Sequence, residues 1–227
     1  MNSESVKKKR IGVIHAVLGS AAPLTKVIRE VSPDTEVLNF VNEEMLSYVN
    51  RNGGVDAIAM RMFANQVFHA EEAGVDAIVI ACNVFVARAD AVEPFVSVPV
   101  ITVDSAMQEK AAAIGGRIGV MGTNHSAVPA CCAGIRRAAD KAGLPIPEIV
   151  NGTVTEAAAA LSGGDTGKFD SLLTERALEL VNEGCGAIVL SQVTMARAKA
   201  AMQRAGISVP ILTSPEECAK RLASLWK

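Results

Sequence analysis

Three segments of this chain recur in the same order, and a chain written twice folds as two like bodies. Ile11-Gly12-Val13-Ile14 returns as Ile118-Gly119-Val120-Met121. Gly74-Val75-Asp76-Ala77-Ile78-Val79-Ile80-Ala81 returns as Gly184-Cys185-Gly186-Ala187-Ile188-Val189-Leu190-Ser191. Val98-Pro99-Val100-Ile101-Thr102 returns as Val209-Pro210-Ile211-Leu212-Thr213. The offset is nearly constant at roughly 110 residues, the length of one small domain. Strand-length apolar runs divide evenly between the halves. The first has Arg10 to His15, Glu36 to Phe40, Ala77 to Ala81 and Val98 to Thr102. The second has Arg117 to Met121, Glu148 to Val150, Ala187 to Ser191 and Val209 to Leu212. Segments of helical period lie between them, among them Val55 to Ala73, Ser126 to Ala142 and Phe169 to Glu183. Strands alternating with helices predict parallel sheets covered on both faces. The expected fold is α/β, with two similar half-domains, 1–114 and 115–227, related by a pseudo-twofold. Gly115-Gly116 marks the join, and the final helix is free to cross onto the first half.

Composition removes several functions. Aromatics make up 4% of the chain and the net charge is −2, so neither stacking platforms nor a basic face speaks for nucleic acid. The run Lys7-Lys8-Lys9-Arg10 reads as a solvated lead-in to the first strand. No apolar core follows Met1 to Val6, and no apolar stretch is long enough to span a membrane, so a cytoplasmic protein is expected. Five cysteines without a C-x-x-C pair predict reduced thiols, and three scattered histidines give a metal site no support. No G-x-G-x-x-G follows a strand, and Ser162-Gly163-Gly164-Asp165 is a joint rather than a phosphate loop.

In parallel sheets, ligands gather beyond the carboxyl ends of the strands, so chemistry is sought there, in a cleft between the halves. Cys82 follows the buried run Ala77 to Ala81, where the chain turns into a helix whose N–H groups would favour thiolate. Cys131, Cys132 and Cys218 lie within helical patterns and read as packing residues. His15 ends the first strand, followed by a loop carrying Ser20, and His125 opens a helix. Each histidine has a structural reading beside a catalytic one.

Ala81-Cys82-Asn83 after an apolar strand resembles the Ala-Cys-Asn-Thr signature of the aspartate/glutamate racemase superfamily, which includes hydantoin racemases, maleate isomerases and arylmalonate decarboxylases. Gly122-Thr123-Asn124-His125-Ser126 resembles its second signature, Gly-Thr-x-x-Thr. The similarity extends from Ile11 to Ala223. It implies cofactor-independent proton transfer at the α-carbon of a small carboxylic or amino acid by two facing cysteines, without metal or pyridoxal. Carried over, Cys82 is the acid/base, and Asn83, Thr123 and Ser126 hold the carboxylate. Ser20, Gln192 and Val193 are further candidates for the substrate site. The resemblance also implies a homo-oligomer, while composition and charge speak for no nucleic-acid or membrane partner.

The chain departs from the pattern where the second cysteine belongs. Internal alignment sets Gln192 opposite Cys82, and Cys185 precedes the strand. An amide neither takes nor gives a proton near neutral pH. Three readings stay open: Cys82 works alone, as in a decarboxylation; His15 supplies a second base; or Cys82 attacks the substrate covalently, as in a cis–trans isomerase. Outside this chemistry stand a degenerate ligand-binding sensor, and a cysteine hydrolase with His15 as base.

Overall fold

A computed structural model of the chain describes residues 8–226. Lys7 of the basic run and the Met1 to Val6 segment lie outside the described residues. Contacts divide the chain into two compact units, one running to Val103 and taking in the chain from Leu222, the other Asp104–Arg221.

The first unit holds β1 (Arg10–His15), α1 (Ala21–Val31), β2 (Glu36–Val41), α2 (Glu43–Asn52), α3 (Ala57–Glu72), β3 (Ala77–Ile80), α4 (Asn83–Val86) and β4 (Val100–Thr102). Its four strands lie parallel in the order β2-β1-β3-β4. The second holds α5 (Ser105–Ile114), β5 (Arg117–Gly122), α6 (Ala127–Ala142), β6 (Glu148–Thr153), α7 (Thr155–Ser162), α8 (Thr166–Asn182), β7 (Ala187–Leu190), α9 (Lys199–Arg204), β8 (Ile211–Thr213) and most of α10 (Ser214–Ser224). Its sheet repeats the same order, β6-β5-β7-β8, again all parallel. Two like α/β halves, each a parallel sheet flanked by helices, are therefore present.

Helix α5 belongs to the second unit, whereas the glycine pair at Gly115-Gly116 suggested a join after it. Packing explains the difference. Met107, Ala111 and Ala112 of α5 share a buried cluster with Ile118, Val120 and Ile135. Gln108 lies so close over Gly134 of α6 that a Cβ there would stand 2.2 Å from its amide. The boundary therefore lies before α5. Gly115 and Gly116, both with positive φ, make the turn from α5 into β5.

Apolar strands carry each core. Ala77–Ile80 and Ala187–Leu190 are buried at every position, as a central strand covered on both faces must be. Phe63 and Phe85 stack with ring centroids 4.9 Å apart beneath β3, each contributing about 1.5–3 kcal/mol through burial. Gly12 and Gly119, equivalent residues of the central strands, are glycine for one reason. A Cβ would stand 3.0 Å from Ala70 in α3 and 2.9 Å from Leu180 in α8, so each lets a helix lie flat on its sheet. At the α7–α8 joint, Gly164 takes a positive φ of 78° and Asp165 caps α8 by accepting from the Lys168 N–H. Among the described residues, no helix is long and apolar enough to cross a membrane.

Candidate active site

The two sheets can be overlaid by their own hydrogen-bond registers. In the first, Ile14 pairs with Ile80; in the second, Met121 pairs with Leu190. The next rung repeats as well: Ala81 N–H donates to the Ile14 carbonyl and Ser191 N–H to that of Met121. Two residues beyond each pair stand Ala16 and Cys82 in the first unit, and Thr123 and Gln192 in the second. The register at the other side of the central strands, His15 with Val41 and Gly122 with Thr153, makes His15 and Gly122 equivalent. One strand end thus carries His15, Ala16 and Cys82, and its counterpart carries Gly122, Thr123 and Gln192.

Cys82 leaves β3 in extended conformation (φ −124°, ψ 114°) and forms the N-cap of α4, a helix of four residues. Its carbonyl accepts from the N–H groups of Phe85 and Val86, both at 2.9 Å. The side chain is 8% exposed and packs among Ala16, Phe85 and Ala89. Burial pushes the thiol pKa above its ordinary value, against the opposing pull of the Val84 and Phe85 N–H groups. The sequence suggested a helix terminus favouring thiolate. So short a helix adds little dipole, and desolvation wins. Asn83, the first residue of α4, is exposed.

His15 is fully buried at the end of β1. Its Nδ1 lies 2.7 Å from Ser20 Oγ and its Nε2 2.9 Å from Asn39 Oδ1. The Ser20 hydroxyl is also placed to donate to the Val17 carbonyl at 2.8 Å, and Asn39 exchanges hydrogen bonds with Thr25 of α1. Burial lowers the His15 pKa, so the neutral ring is favoured. Both ring nitrogens are committed, and the imidazole ties β1, the loop after it and β2 together. Asn39 was not singled out in the sequence, although a polar residue inside the strand-length run Glu36 to Phe40 was the signal available. Gly122, the counterpart of His15, is closely covered: a Cβ there would stand 3.1 Å from both Ala127 and Val128.

In the second unit the structure joins Thr123 to Gln192. The Thr123 N–H donates to Gln192 Oε1 at 2.7 Å, and the Thr123 hydroxyl donates to the same oxygen at 3.0 Å. The buried Ser191 hydroxyl donates to the Met121 carbonyl at 2.6 Å, fastening the end of β7 to β5. Ser126 lies apart from this pair. Its N–H and hydroxyl, with the Ala127 N–H, all donate to Asn124 Oδ1, at 3.1, 2.9 and 2.9 Å. Asn124 thus makes an Asx turn around Ser126, the N-cap residue of α6, a role the Asn-x-Ser spacing signalled. His125 falls between these two residues, and Val193 opens the 3-10 turn Val193–Ala198 directly after Gln192. Cys131, Cys132, Cys185 and Cys218 are buried free thiols. Burial raises the pKa of each, Cys218 to about 12. Among the described residues, no cluster of three or more histidine, cysteine or acidic side chains could hold a metal ion.

Comparison with solved structures gives the fold its relatives. Glutamate racemase isoform RacE1 from Bacillus anthracis superposes with a TM-score of 0.71 at 21% identity, over 96% of this chain and 82% of that one. Allantoin racemase from Klebsiella pneumoniae gives 0.67 at 22% identity, over 96% and 87%. Picrophilus torridus aspartate racemase gives 0.64 at 15%, over 96% and 94%. At such identities the likeness is one of fold. Comparison with curated protein sequences gives no significant match. The family model described as Asp/Glu/Hydantoin racemase matches residues 15–222, and the chain belongs to that family of isomerases.

Proposed function

We propose that the protein carries out cofactor-independent proton transfer at the α-carbon of a small carboxylic or amino acid, with Cys82 as acid/base. The observation that carries this reading is the place of Cys82: it is a nearly buried thiol at the carboxyl end of a central parallel strand, followed directly by Asn83. In the forward step the small thiolate fraction of Cys82 takes the α-proton, leaving an enediolate whose charge hydrogen-bond donors must hold. The thiol exchanges its proton with water and returns a solvent-derived proton to carbon. Asn83, Thr123 and Ser126 are the proposed carboxylate ligands. In the structure, Thr123 and Ser126 already spend their donors on side-chain amide oxygens. His15 is assigned a positioning role, because both its nitrogens are occupied. The homo-oligomer implied by the family resemblance is tested by light scattering.

A specific observation favours a second, one-sided form of this chemistry. The counterpart of Cys82 is Gln192, and the Cys82 pKa is raised, so Cys82 rests as a proton donor. A single donor suits decarboxylation of a malonate-type acid. The C–C bond breaks with loss of carbon dioxide, its electron pair passes to the enediolate, and the Cys82 S–H protonates carbon. The thiolate left behind recovers its proton from water.

Turnover of a panel of small chiral acids, hydantoins and substituted malonates by wild type and Cys82→Ala tests both forms. Cys82→Ala should lower any turnover found by at least about 10²-fold, the smaller end of acid–base contributions, while costing only a small cavity in stability. Full activity in the folded variant would end the mechanistic case.

A further inference from the structure

Gln192 is held in one orientation. Its carbonyl oxygen receives two donors from one residue, the Thr123 N–H at 2.7 Å and the Thr123 hydroxyl at 3.0 Å. A backbone N–H can only donate, so the atom facing it must be the amide oxygen, which fixes the side chain against the flip that usually leaves glutamine ambiguous. With Oε1 so committed, Nε2 points the other way. Among the described residues it has no hydrogen-bond partner, and Gln192 as a whole is only half-buried. The counterpart positions in the first unit show what has been exchanged: the thiol Cys82 beside the methyl of Ala16, with no side-chain donor to fix it. Thr123 and Gln192 therefore form a matched pair, in which threonine clamps the carbonyl and, among the described residues, the amide N–H groups are left without a partner.

We infer that Gln192 is a substrate-holding residue whose clamped amide presents Nε2 as a hydrogen-bond donor to an anionic oxygen, a carboxylate or the enediolate that develops from it. This rests on the proposed reading of Cys82 in one respect: with a fixed donor at the equivalent position, the proton travels through Cys82 alone. The product then has one configuration, and two-sided racemisation by a thiol pair is not available to this chain.

Acetate is the probe, watched by nitrogen-edited NMR of the full chain. The Gln192 side-chain amide pair is assigned by its disappearance in Gln192→Met. In wild type, acetate should move that pair. Gln192→Met removes the donor without adding charge, and should weaken acetate binding about tenfold. Gln192→Glu keeps an acceptor for both Thr123 donors, so its melting temperature, equal to that of wild type, separates loss of the clamp from loss of the donor. The inference predicts that Gln192→Met, folded, binds acetate more weakly while Gln192→Asn, which keeps an amide, binds it more tightly than the Met variant. An amide pair that stays unmoved, or equal acetate affinity in folded Gln192→Met, overturns it. Acetate bound at Gln192 without any Cys82-dependent α-proton exchange would sink the proton-transfer reading and leave the donor assignment standing. Exchange with an unmoved Gln192 amide would do the reverse.

Discussion

At neutral pH the Cys82 side chain rests as a thiol, because desolvation outweighs the two N–H groups that would favour its anion. Alkylation by iodoacetamide should therefore be slow near pH 7 and accelerate only above the ordinary thiol range. Fast labelling at neutral pH would contradict this. Turnover by the one-sided route needs the protonated thiol and should decline in the same alkaline range. His15 makes a separate prediction. Burial lowers its folded pKa, so the unfolded chain, near 6.5, takes up a proton first. Its contribution to stability is full above about pH 6.5 and is lost as pH falls toward the depressed folded value. Against His15→Gln, the stability advantage of wild type in thermal unfolding should shrink as pH falls below about 6.5. A widening gap would show that the ring is charged in the fold.

The turn leading into helix α6 is closed by one side chain. Asn124 Oδ1 collects three donors, so Asn124→Ala should cost about 1 kcal/mol and lower the melting temperature by a few degrees. An unchanged melting temperature would show that water replaces the amide oxygen. At this scale the sequence was readable where periodicity was strong. β1 runs from Arg10 to His15 as the apolar pattern suggests, and α6 and α8 match their expected spans to within a few residues. β6 runs on to Thr153 because Asn151, Gly152 and Thr153 stay in register with β5, a pairing that no apolar pattern marks. Cys82 and Gln192 were alignable because flanking apolar strands carried them. The clamp from Thr123 to Gln192 was not readable, since it joins residues 69 apart through side-chain rotamers. For the same reason the sequence leaves His15 both a structural and a catalytic reading, while the fold ties it to Ser20 and Asn39.

Across the whole molecule, one strand order is used twice, and what differs between the copies is chemistry rather than architecture. The first sheet ends in a thiol and a buried imidazole. The second has a glycine in place of the imidazole and an amide in place of the thiol. Family membership accounts for the shared frame, and the exchanged side chains account for the departure from a symmetric pair of cysteines. Whether protons move to and from carbon through Cys82 is read by proton NMR in deuterated water, with small chiral acids, hydantoins and substituted malonates incubated with wild type and Cys82→Ala. The expected result is deuterium at the α-carbon of at least one acid, in a single configuration, absent with Cys82→Ala. Deuterium incorporation that persists in the folded Cys82→Ala protein would contradict it.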